Sequence, residues 1–226
     1  MARLNILNRG EIITEGLQLG GNPGLSTRAG IFVNIFHDEL CAAYDWPFLL
    51  YEESITVDTT GTFDLSTLTK TCRAIRGIRL ASEQSILTEW GEDFVDMRVR
   101  LLADADSGST GKPTHFITDP DRSNDQVYFY PKPDASYSAT IWYYYQPDEI
   151  TSDATVPEIP SAAVMVNAVA AFASRFDGSN MLQILDTEVI KAVRNLRANM
   201  GPDGKQRQKV IRFDKSVHRW RTPGED

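Results

Sequence analysis

The chain has 226 residues, 42% of them hydrophobic and 24% charged, with a formal net charge of −8. That is globular composition, long enough to bury a core as one large domain or one and a half. No apolar run approaches the roughly 18–20 residues of a membrane span, and a net acidic chain has no general affinity for nucleic acid, which requires a positive field.

The first residues lack the apolar core of a signal peptide, so the protein is expected to stay in the compartment where it is made. They predict two helices. In NRGEIITEGLQLGG, Asn8 caps and Glu11 stands three residues on, the spacing of a capping box. Ile12, Ile13, Leu17 and Leu19 supply one apolar side, and Gly20-Gly21 ends the element. After the turn NPGL, Ser26 or Thr27 caps a longer helix in which Ile31, Phe32, Ile35, Leu40 and Tyr44 mark one buried face. Pro47 stops it, and Trp46 and Phe48 on either side plug the junction between helix and strand domain.

From Phe48 to Gln146 the rhythm is that of strands. LLYEESITVDTTGTFDL alternates around a Gly turn, and KTCRAIRGIRL is half-buried. VYFYPKPDASYSATIWYYYQP is the clearest hairpin, two aromatic β runs around a loop of prolines and Asp. Between these, TEWGEDFVDMRVRLLADADSGSTGKP predicts a short helix and then an exposed Gly/Ser loop. QPDEITSDATVPEIPS marks a second boundary, and Pro160 opens a helix lined by Val164, Val166, Val169, Ala170, Ala173 and Phe176. FDGSN turns the chain into a last helix with Leu182, Leu185, Val189, Val193 and Leu196, and Gly201-Pro202 breaks it.

Terminal helices on either side of a strand region can bury their stripes only against each other. The expected fold class is therefore α+β. Residues 1–47 and 158–200 form an antiparallel helical bundle, 48–157 an inserted antiparallel β domain, and 201–226 an extended C-terminal arm.

Chemistry is sparse. In GSTGKPT the position that needs a Walker glycine is Asp106, and Pro113 replaces the magnesium-binding Ser or Thr, so a mobile loop is the better reading. His37, His115 and His218 have no partner at metal-ligand spacing, and Cys41 and Cys72 suit neither a metal site nor, without signs of secretion, a disulfide. No nucleophile elbow or zinc-protease motif appears, and paired acids such as Glu52-Glu53 and Asp119-Asp121 lie in loops or at strand edges. Neither catalysis nor a cofactor is expected. In the run Trp142–Tyr145 alternate rings face opposite sides, so half belong to the core; exposed, they would stack on sugar or single-stranded nucleic acid.

The C-terminal stretch is unlike the rest. Lys205, Arg207, Lys209, Arg212, Lys215, Arg219 and Arg221 crowd it, with Asp214 the only acid among them. Phe213, Val217, His218 and Trp220 sit among these cations, whereas disordered tails are polar and poor in aromatics. Aromatic anchors beside Arg are the composition of a binding segment. Three readings are open: a protein partner or neighbouring subunit, the chain's own acidic body, and nucleic acid or no function at all.

The succession of NRGEIITEGLQLGGN, LSTRAGIFVNIFHDELCAAYDWPFL, GKPTHFI, VYFYPKPDASYSATIWYYYQPDEIT and VPEIPSAAVMVNAVAAFA resembles the head-to-tail adaptor (head-tail connector) proteins of tailed bacteriophages, particularly short-tailed ones. The resemblance implies a virion structural protein of the neck, made in the host cytoplasm. It implies a dodecameric ring beneath the portal that continues the DNA channel, with a tail or nozzle protein on its other side. The genome would pass without specific binding, and there is no membrane partner. It makes Lys209, Arg212, Phe213, Lys215, Val217, His218, Arg219 and Trp220 the arm that docks on the portal or a neighbouring subunit. It supplies no catalytic, metal or cofactor residue. A carbohydrate- or receptor-binding module using the aromatic hairpin is the alternative.

Overall fold

A computed structural model describes residues 7–90, 95–97, 99–101, 109–119, 125–175 and 182–199. Among these, the α+β class is plain: helices at both ends of the chain and two sheets between them.

Helix α1 (Arg9–Leu19) begins as its sequence dictates. The Asn8 side chain accepts from the Glu11 N–H, and the Glu11 carboxylate accepts from the Asn8 N–H, both at 2.9 Å. Ile12, Ile13 and Leu17 are buried, but Leu19 is 47% exposed. A 3₁₀ turn (Pro23–Leu25) leads into α2 (Ser26–Ala43). Neither Ser26 nor Thr27 caps α2; Leu25 holds the cap position and makes no side-chain bond there. The expected buried face of α2 is also out of phase. Ala29, Val33, Phe36, Leu40 and Cys41 are buried, whereas Ile31 and Ile35 are 60% and 52% exposed. The helix carries two apolar stripes about half a turn apart, and periodicity alone does not say which one the protein covers.

Helix α3 (Ala162–Ser174) starts two residues after Pro160, with Ser161 at the cap position, and α4 (Leu182–Asn199) comes next. Val164, Val169, Ala170 and Ala173 of α3 and Val189 and Leu196 of α4 are buried as expected. Phe176 and the side chains of Leu182 and Leu185 lie outside the described residues. One apolar core gathers α1, α2, α3 and α4 with Trp46, Leu49, Tyr144 and Ile159. Its tightest approach is between α1 and α3. A Cβ on Gly16 would meet Val169 Cβ at 2.5 Å, and one on Gly20 would meet the Ala170 carbonyl at 2.7 Å. Only glycine allows the two backbones so close.

The strands are β1 (Leu50–Val57), β2 (Thr62–Asp64), β3 (Cys72–Leu80), β4 (Thr88–Glu89), β5 (His115–Thr118), β6 (Gln126–Tyr130) and β7 (Tyr137–Tyr145). They form a three-stranded sheet in the order β1-β7-β3 and a four-stranded sheet in the order β2-β6-β5-β4. All pairings are antiparallel except β4 with β5. The predicted short helix is present as helical residues at 95–97 and 99–101.

The expected hairpin is a correction. Both of its runs are strands, β6 and β7, but they belong to different sheets and do not pair. Residues 131–136 instead carry the chain across from one sheet to the other. The physical reason is burial. Val127 and Phe129 of β6 and Ala139, Ile141 and Tyr143 of β7 share one core with Ile55, Val57, Ile78, Leu80 and Phe116. Two apolar faces stacked against each other bury more surface than the same strands side by side in one layer. The Gly61 turn, at φ +80, makes the equivalent crossing between β1 and β2.

Two side chains sit where the helices meet the strands. Trp46 is 2% exposed, donates from Nε1 to the Leu40 carbonyl at 2.7 Å, and stacks on Phe48 at 5.5 Å. It belongs to the helical core, together with Leu49 and Tyr144 of β7. Arg73 of β3 reaches the end of α2, donating to the carbonyls of Ala42 and Tyr44 at 2.9 Å and pairing with Asp45 at 2.8 Å. It thereby satisfies carbonyls that the helix end leaves without intrahelical partners.

Candidate functional site

The residues expected to bind a partner, Lys209, Arg212, Phe213, Lys215, Val217, His218, Arg219 and Trp220, all lie outside the described residues. Their placement therefore rests on sequence. The described surface offers a different feature, one that the linear pattern did not announce.

An open groove of about 1190 Å³ runs between the first turns of α1, the first half of α2 and the segment around Glu149–Ala154. Its geometry arises from how that segment docks. Backbone N–H groups of Arg9 and Gly10 donate to the carbonyls of Thr155 and Asp153 at 2.8 and 2.9 Å. The Arg9 side chain pairs with Asp153 and lies across Gly30, where any Cβ would strike its guanidinium at 2.4 Å. Asn34 donates to Glu149 at 3.0 Å. Ile13 and Ile150 lie buried beneath, Ile31 and Ile35 stand exposed in the wall, and Glu11, Glu15 and Glu149 are exposed carboxylates along it. A signal was present in the sequence. The apolar positions of α2 are too many and too widely spread for one buried stripe, so some of them are left at the surface.

The aromatic run offers no free stacking platform. Tyr143 and Tyr144 are buried on opposite faces of β7, one in each core. Trp142 donates from Nε1 to Glu52 at 2.9 Å, with the Arg79 guanidinium 5.7 Å from its ring centre. Tyr51 meets Tyr143 edge-on at 5.8 Å.

Elsewhere the polar groups do structural work. Glu53 accepts from the Thr69 N–H and hydroxyl and from the Tyr143 hydroxyl at 3.0 Å. Burial alone would push its carboxyl up, but these bonds outweigh that and hold it below its ordinary value. His37, 3% exposed, sits 3.1 Å from the Glu158 carboxylate. Burial raises the Glu158 carboxyl, and the hydrogen bond from His37, helped by the charge of Lys70, more than reverses it. Cys41 and Cys72 are both free thiols. Each is pushed up to about 12, chiefly by burial, with carboxylates at Glu158 and Asp125 respectively adding to it. Lys112 of the GKP step pairs with Glu83. Among the described residues no group of three His, Cys, Asp or Glu is placed to hold a metal ion, and no helix is long and apolar enough to cross a membrane.

No curated protein matches the chain. The family model described as SU10 adaptor protein matches residues 7–205, which takes in both cores and the groove and stops short of the basic aromatic segment. With that match spanning most of its length, the chain belongs to the SU10 adaptor protein family, structural adaptors of bacteriophages.

Proposed function

We propose that this protein is the adaptor that joins the capsid portal to the tail in a short-tailed phage. Copies assemble as a ring, with twelve the expected number, and continue the DNA channel. A tail or nozzle protein sits on the opposite side, and the genome passes without specific binding. The helices within 1–47 and 158–200 form the ring's bundle, 48–157 its β insertion, and 201–226 the arm. Lys209, Arg212, Phe213, Lys215, Val217, His218, Arg219 and Trp220 dock on the portal or a neighbouring subunit.

The observation that carries this reading is the adaptor-family match over residues 7–205. Physical logic supports it. A segment that orders only on its partner makes attachment conditional, because the ordering entropy opposes premature assembly. Many copies then combine weak arms into one durable joint. An excess of acid outside the arm suits a channel wall along which a duplex slides without sticking.

The test uses tailless, portal-bearing particles from the native host, cosedimented with the full chain and with a chain ending at Gly204. The full chain is expected in the pellet and the shortened chain in the supernatant. Equal pelleting removes the arm's role and leaves the adaptor role standing. Failure of both to pellet overturns the proposal. The rival reading as a carbohydrate- or receptor-binding module loses its central feature, since β6 and β7 are not a hairpin and the rings of β7 are engaged.

A further inference from the structure

We propose that the groove between α1 and α2 is the seat of residues Lys209–Trp220 of this chain. The inference rests on reading the C-terminal segment as an arm, and it names a surface that receives it.

The groove supplies both halves of the recognition. Ile31 and Ile35, one turn apart on α2, present apolar side chains that are 60% and 52% exposed. Glu11, Glu15 and Glu149 line the same groove, and Arg9, the cation among the lining residues, is paired with Asp153. The wall is thus apolar along α2 and acidic around it.

The arm is the complement. Val210, Phe213, Val217 and Trp220 supply apolar and aromatic anchors. Lys209 precedes them, and Arg212, Lys215 and Arg219 fall between them. Apolar and aromatic anchors flanked by cations are the composition of a segment that fills an apolar groove on a partner surface. The cations then meet the acids at the rim, where complementary charge sets register and speeds encounter.

Reach permits the contact. α4 ends at Asn199, and its Arg197 lies 5.0 Å from the ring centre of Tyr44, just past the end of α2. From there to Ile31 is about 20 Å along the helix axis. Residues 200–208, fully extended, span about 30 Å. The arm of the same copy or of an adjoining one can therefore reach the groove.

The experiment uses the full chain with Phe213→p-benzoylphenylalanine, irradiated in solution and mapped by peptide mass spectrometry. Adducts are expected on residues 9–15 and 26–35. Their yield should fall about tenfold when Glu15→Lys and Ile35→Lys are added, because like charges then face each other. Both positions are exposed, so the variant should fold. Because the photoreactive ring is bulkier than Phe, hydrogen exchange of residues 26–35 is compared between the unaltered chain and Phe213→Asp/Trp220→Asp. Groove adducts, or faster exchange at 26–35 in the arm variant, uphold the seat, and adduct mass tells which copy donates the arm. Adducts confined to other surfaces, or neither signal, overturn it. No particles are present, so the result is separable from the cosedimentation test. An arm that joins particles yet leaves the groove untouched overturns the seat and keeps the adaptor reading.

Discussion

The helical core and the sandwich core are closed in opposite ways. The helical core is limited by backbone. Gly16 and Gly20 let α1 settle on α3 against Val169, Ala170 and Ala173, with no room for one more carbon. The sandwich core is limited by side-chain volume, with Phe116, Phe129 and Tyr143 filling the space between two sheets. One region therefore suffers most from added atoms and the other from removed ones, although both are apolar and well packed.

That contrast can be broken most forcefully by truncation. Phe129→Ala in the sandwich, like Trp46→Ala at the junction, should cost about 3–5 kcal/mol in urea unfolding, since each side chain is almost wholly buried. A drop in the urea dependence in either variant would show that the two cores unfold separately. Gly20→Val is the reverse experiment and should cost about 1–3 kcal/mol, because the new side chain meets the Ala170 carbonyl, which cannot rotate away. A neutral result would mean that the approach of α1 to α3 is looser than described.

Arg73→Met probes the tie between the regions. It leaves the Ala42 and Tyr44 carbonyls without their donor. A loss of about 1–3 kcal/mol is expected, with little change in circular dichroism of the folded protein.

Smaller still is the pH dependence carried by Glu53. Its folded carboxyl lies below the ordinary 4.5, so its stabilisation is fully present above that value and fades as pH falls through the lower folded value. Solvent screening keeps the effect small. Unfolding measured from pH 6 to pH 3 should show stability falling on acidification, and Glu53→Gln should flatten part of the slope.

The slightest effect is chemical. With both thiols pushed up to about 12, Cys41 and Cys72 should resist a thiolate-directed reagent at pH 7.5 until urea unfolds the chain. Rapid labelling of Cys41 in the native protein would contradict its burial.

Local chemistry made much of this legible. Asn8 and Glu11 announce α1 because a capping box is written in four adjacent residues, and Val164, Val169 and Ala173 announce α3 because one stripe there has one partner. The pattern of α2 shows an excess of apolar positions but does not say which of them line a groove. Ile31 and Ile35 have the same periodicity as the buried residues beside them, and only the docking of residues 149–155 on α1 shows which stripe is left outside. The residues expected to bind a partner stand out by composition alone and lie outside the described residues.

What the sequence determined by itself was the kind and position of most elements, because caps, turns and alternation act between residues a few positions apart. Thr88–Glu89, at the start of the run expected to be a short helix, is instead strand β4. Tertiary structure alone decided which strands pair, which face of α2 is covered and where the two cores meet. Those choices depend on how much surface distant segments bury together, and β6 and β7 are the clearest instance. Neighbours in the chain, they lie in different sheets because their apolar faces are better covered by each other across the sandwich than side by side.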